Sequence, residues 1–316
     1  MTPSQAKAAM AALWNAREKA DATKNVKVLD GVDTGSMLLE GHYALDSVIC
    51  GCSKWYWTKG VRHMQDVAVF MPRQTHYPLF FFARVLASSG NATLRAGDAT
   101  AYMIVTRAAP GSPWKLAMQL FDQGYDPPVG GISPIALDTA GYDESPLDSD
   151  LRAATKWPAM LATYYRHIKV DGAPPAHSVF LAGPMTTRTD LANNLDGSVS
   201  GGIIHHYTFV ASPLGGPWVF QGEGALMACA DINEYATITW ARPHTVFQQI
   251  DGTKGNWGAD LNSGFYSKIL TTWERAVCIL KTPTGLYVWG TNDASGYPIH
   301  TGGVPAPAGP GTTRIL

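Results

Sequence analysis

Apolar side chains near the N-terminus recur at helical spacing. Ala6, Met10, Leu13, Trp14 and Ala20 make one stripe and leave Arg17, Glu18, Lys19 and Lys24 for water. The pattern predicts a helix over residues 4–23, capped by Thr2 or Ser4 with Pro3 in its first turn. A shorter helix is expected over residues 25–32, where Val28, Leu29 and Val32 extend the buried face. Gly31, Gly35 and Gly41 then punctuate the chain, and Met37–Leu39 is expected to lead outward into a sheet. From Trp55 the period changes from helical to alternating. Strands are predicted at 61–71, 79–88, 99–107 and 114–125, with a turn at 91–97 and a hairpin connection at 110–113.

The second half follows the same order. A helix is expected over 148–169, kinked or split by Pro158, and a short one over 187–195. Strands are expected at 202–211, 217–221, 225–230, 235–241, 270–281 and 286–290. Between the halves, residues 126–147 are rich in Pro, Gly, Ser and Asp and suit a linker. The tail, 301–316, is low in complexity and is expected to be extended or loosely docked. The implied domains are 1–125 and 148–300, and the repeated element order suggests an old duplication.

Composition adds to this. The chain has 316 residues, enough for two domains. Hydrophobic residues are 46% and charged residues only 16%, with 32 Gly and 21 Pro, which suits a turn-rich protein with sizeable cores. Net charge is −1, and no Lys/Arg cluster offers a field for nucleic acid. No run of 18 apolar residues is present to span a membrane. The first ten residues lack the basic and apolar regions of a signal peptide.

The chemistry-bearing residues are sparse. No nucleophile elbow, HExxH, P-loop or dinucleotide fingerprint occurs, and no cofactor is implied. The four cysteines show no zinc spacing, and no metal is expected; Cys50 and Cys52 form a bare C-x-C. Cys229 and Cys278 lie in predicted strands of the second half. They are either a disulfide formed in an oxidising compartment or two small buried side chains. His205 and His206 are adjacent on a strand and so point to opposite faces. The inward one is a candidate base or ligand contact, against a structural histidine.

Helix, helix, then a curved antiparallel sheet resembles the plan of the cystatin-like and NTF2-like α+β folds. Trp14-Asn15-x-Arg17-x-x-Ala20-Asp21 with Leu29-Asp30-x-Val32-x-x-Gly35 is similar to their opening helices. Pro134–Tyr142, the helix to His167, Phe180–Gly183, Tyr207–Phe220 and Val304-Pro305 resemble an actinobacterial family of secreted lipoproteins and cell-envelope proteins of unknown function. The family's lipidated cysteine is absent from the N-terminus here. The resemblance implies two tandem domains outside the cytoplasm and no particular activity.

Two functions follow as expectations. One is a non-enzymatic extracytoplasmic binding or assembly protein that takes a small apolar ligand or a protein partner, or serves as a subunit of a surface assembly. Trp14, Phe81, Tyr102 and His205 are the candidate pocket residues, and residues 79–83 are a candidate protein-binding strand. The alternative is an NTF2-like isomerase or hydrolase, with His205, Asp21 and Asp231 as candidate catalytic groups in an apolar pocket.

Overall fold

The computed structural model describes residues 1–49, 62–89, 99–121, 148–183, 185–187, 195–212, 216–222, 225–241, 246–249, 264–290, 297–306 and 313–315. It is a mixed α+β protein with antiparallel sheets.

Helix α1 spans Pro3–Thr23. A reciprocal cap starts it: the Thr2 hydroxyl accepts from the Gln5 amide at 3.3 Å, and the Gln5 side chain accepts from the Thr2 amide at 2.8 Å. It ends at Lys24, whose backbone is left-handed. Helix α2, Val26–Val32, follows at once. Helix α3, Gly35–Ile49, stands where the sequence predicts an exit into the sheet. The glycines mislead there. Gly35 occupies a left-handed position at the helix start. Gly41 lies inside the helix and faces α2, where a Cβ would come within 2.9 Å of Leu29. The Leu-rich run is therefore helical, and Leu45 packs with Ala20 and Leu29.

The first sheet has the order β1-β2-β3-β4, with β1 Arg62–Phe70, β2 Leu79–Ser89, β3 Ala99–Arg107 and β4 Lys115–Phe121. Each of its neighbouring pairs is antiparallel. Its two faces do different work, as period-two alternation requires. Phe81, Ala83, Val85, Met103 and Val105 face α1 and α2 and pack with Met10, Leu13 and Trp14. Phe80, Phe82, Tyr102, Ile104 and Met118 face the other way.

The second half opens with α4, Asp148–Ala154, and α5, Trp157–Asp171. Pro158 sits in the first turn of α5, where a missing N–H costs nothing. The strands after it are β5 Val199–Ser200, β6 Ile203–Ala211, β7 Trp218–Gly222, β8 Ala225–Trp240, β9 Val246–Gln249, β10 Gly264–Thr282, β11 Gly285–Gly290, β12 Tyr297–Pro305 and β13 Thr313–Ile315. They form one nine-stranded sheet around two long strands, β8 and β10, which pair over fourteen positions without a break in register. Strand β8 is continuous, although the sequence predicts two strands with Asp231–Glu234 between them. Those four residues are buried in mid-strand. Likewise the expected tail is part of the sheet. Strand β12 runs through residue 301 on β10, and β13 pairs in parallel with β9. Gly303 of the tail serves close packing: a Cβ there would fall within 2.2 Å of the Tyr266 ring.

The two sheets pack on each other. Trp218, Phe220, Met227, Cys229, Cys278, Leu280 and Trp289 of the second sheet share one apolar cluster with Phe82, Tyr102, Ile104, Met118 and Leu120 of the first. Phe220 meets Phe80 and Phe82 edge-on at 5.4 and 5.5 Å, and Trp289 meets Tyr102 at 4.7 Å. Phe82 and Phe220 are wholly buried, each worth about 1.5–3 kcal/mol of transfer free energy. The outer face of the second sheet is covered by α5 through Trp157, Leu161, Tyr165 and Ile168, joined by Ala154 of α4. The layers thus run helices, sheet, sheet, helices. The boundary segment 126–147 and the expected short helix, apart from its end residues Thr187 and Leu195, lie outside the described residues.

Candidate functional site

The polar groups that matter most lie in the middle of β8 and β10. Opposite each other in register are Asn233 and Glu274, Ile232 and Arg275, and Asp231 and Ala276. Alternation puts Asp231 and Glu274 on the face toward the first sheet, with Cys229 and Cys278. Glu234 and Arg275 point the other way, toward α5. Two diagonal charged pairs therefore occupy one level of the sheet, one on each side.

On the inner side, Asp231 is 1% and Glu274 4% exposed. The strand register and a shared cavity wall place their carboxyl groups side by side. Ser36 of α3 donates to Asp231 Oδ2 and also lies 3.3 Å from the Ala117 carbonyl of β4. Asp231 Oδ1 and Glu274 Oε2 have no hydrogen-bond partner among the described residues. Burial is the main cause that holds both carboxyls above the ordinary carboxylate range. The nearby Glu40 adds to it for Asp231, and Asp231 itself adds to it for Glu274. Ser36, Met37, Glu40, Met118, Gln119 and Ala276 complete the walls of a cavity of about 10 Å³, space for one water.

On the outer side, the Arg275 guanidinium grips Glu234 Oε2 through Nη2 and through Nε at 3.1 Å. Tyr165 lies over the guanidinium at 6.0 Å, and Lys169 sits 4.1 Å from the Tyr207 ring. Burial pushes the Tyr207 hydroxyl well up, helped by Glu234 and Asp196. A further buried acid, Asp33, is paired with Arg17 in the first half. Burial outweighs that partner and raises its carboxyl to about 6.

The structure separates the candidate catalytic residues. His205 lies on the α5-facing side of β6, opposite Ile238, and its ring stacks on Tyr207 at 5.8 Å. Burial lowers its basicity, with Lys169 and His206 adding to the effect. Asp231 faces the other side of that sheet. Asp21 is on α1, in electrostatic contact with Asp33. The candidate pocket residues do not converge either. Trp14 and Phe81 fill the core between α1 and the first sheet. Tyr102 lies between the sheets, and His205 is in the second half. Phe81 and Phe82 are buried on opposite faces of β2, so the aromatic run at residues 79–83 is core rather than a docking surface. Cys229 and Cys278, directly opposite on β8 and β10, form a disulfide. Cys50 and Cys52 lie outside the described residues.

Sequence reasoning picked out Asp231 but passed over Glu274 and Ser36. The signal was present: Asp231 is two residues beyond Cys229 and Glu274 is four before Cys278. Joining those cysteines across an antiparallel pair brings the two acids onto one face.

At the β1–β2 side of the first sheet the inner face opens into a cleft of about 300 Å³. It is lined by Asp66, Arg84, Leu86 and Tyr102. Asp66 is opposite Leu86, and Arg84 is opposite Tyr102, so all four share one face. Among the described residues no group of three or more His, Cys, Asp or Glu is placed to hold a metal ion. No described helix is long and apolar enough to cross a membrane.

No curated protein and no solved structure matches the chain. Residues 1–197 match the family model described as "Domain of unknown function (DUF8094)". That stretch is more than half of the 316 residues, and the chain belongs to the DUF8094 family.

Proposed function

We propose that this is a non-enzymatic, extracytoplasmic binding or assembly protein, secreted or held in the cell envelope. Each half is read as an NTF2-like or cystatin-like unit, with the two units back to back through their sheets. The resemblance to actinobacterial cell-envelope proteins belongs to the same reading. The buried Cys229–Cys278 disulfide supports an oxidising compartment.

The observation that carries the binding function is where open space lies. The helix–sheet interiors, where an NTF2-like enzyme would keep its pocket, are filled by Trp14, Phe81 and Met103 in one half and by Tyr165, Phe209 and Val277 in the other. The carboxyl pair at Asp231 has room for a single water, too little for a substrate. The cleft at Tyr102 has the volume of a small-ligand site. Its Leu86 and Tyr102 suit an apolar body, and Arg84 and Asp66 suit polar ends.

Anilinonaphthalene sulfonate, aromatic at one end and anionic at the other, is the probe of choice. Saturable one-to-one binding to the full chain, lost in Leu86→Trp at unchanged unfolding midpoint, is the expected result. Equal binding by the variant, or none by the parent, rejects the cleft as the site.

A further inference from the structure

We propose that Asp231 and Glu274 share a proton, and that this proton fastens α3 and the β4 edge of the first sheet to the second sheet. The joint is then tight while the proton is held and loosens when it leaves to solvent.

The geometry requires a proton between them. An ionised carboxylate can only accept hydrogen bonds. Two buried carboxylates side by side cannot hydrogen-bond each other while both are ionised, and Asp231 Oδ1 and Glu274 Oε2 are buried with no hydrogen-bond partner among the described residues. One proton converts this contact into a donor–acceptor pair. Ser36 has a single hydroxyl hydrogen, within reach of both Asp231 Oδ2 and the Ala117 carbonyl, so it cannot satisfy both carboxyls. From α3 the pair is faced by Ser36 and Glu40, from β4 by Gln119, and from β10 by the apolar Ala276. Glu40 is the one further charged side chain among the described lining residues, and it is negative. None of the described lining residues is a cation that could compensate a second charge.

Loss of the proton therefore leaves two negative charges in a space with room for one water. The contact most exposed to that repulsion is the one α3 makes through Ser36. Helix α3 lies against both β4 and β12, so it carries the link from the first sheet to the second. The sign follows from linkage. The pair holds its proton more strongly in the folded chain than either carboxyl does in the unfolded one. Stability from the pair is full in acid and is lost as pH rises through the folded-state range.

The test uses the full chain with its disulfide intact. Urea unfolding is measured across pH for the parent and for Asp231→Asn combined with Glu274→Gln. The unfolding equilibrium of the parent should rise relative to the variant, by roughly tenfold per pH unit for one linked proton, above the ordinary carboxylate range. Identical pH dependence of the two proteins overturns the proposal. Infrared spectroscopy of the parent decides independently of whether the variant folds. A protonated-carboxyl band should persist above the Asp33 value of about 6. Its absence there overturns the proposal as well.

Discussion

Ser36, in the first turn of α3, hydrogen-bonds to Asp231, 195 residues further along the chain in the middle of β8. The contact ties an element of the first half directly to the central strand of the second. Replacing Ser36 by Ala removes the donor and leaves the buried carboxylate oxygen unsatisfied. The expected cost is about 1–3 kcal/mol. It should appear as a lower urea midpoint with an unchanged slope, because the folded contacts change and the exposed surface does not. An unaltered midpoint would mean that the hydroxyl is not needed at this joint.

The ion pair on the opposite face makes a contrasting prediction. Glu234 and Arg275 side chains are 7% and 4% exposed. Arg275→Ala should destabilise by about 3–5 kcal/mol, since it strands a buried charge. Arg275→Met with Glu234→Leu should recover most of that loss, because both desolvation penalties vanish together. A double-mutant cycle measures the recovery. Additive losses would contradict the pairing.

How much of this was legible in the sequence depends on which signal each element carries. Helix α1 and strand β1 announce themselves by the period of their apolar residues, and β2 and β3 by runs of aromatic and branched side chains buried on both faces. Helix α3 does not, because Gly35 and Gly41 look like breaks when each serves close packing or a helix start. Strands β8 and β10 are longer than their apolar runs. Their centres carry Asp231, Asn233, Glu234, Glu274 and Arg275 and are still buried: Glu234 pairs with Arg275 on one face, and Asp231 lies beside Glu274 on the other. A rule that places polar residues at turns fails at the very positions where the candidate site lies. The separation of His205 from Asp231 was equally hidden, because it depends on which face of one sheet each residue takes.

The disulfide joins β8 to β10 where the two sheets pack, with both cysteines wholly buried. Replacing Cys229 and Cys278 by Ala together should cost about 2–4 kcal/mol. Reductant alone should leave the native protein oxidised and should act only once urea exposes the bond. Thiol titration with and without urea checks this. Rapid reduction in the absence of urea would place the pair at the surface instead.

Packing of the two sheets on one apolar layer is the feature on which the remaining claims rest. Native-state hydrogen exchange at increasing urea tests it most directly, by comparing amides in β2 with amides in β8. If Phe82, Tyr102, Phe220 and Trp289 form one core, both strands open in the same cooperative event, with the same free energy and the same urea dependence. Two separate opening events, each with its own free energy and slope, would show that the halves fold independently and would contradict the shared core.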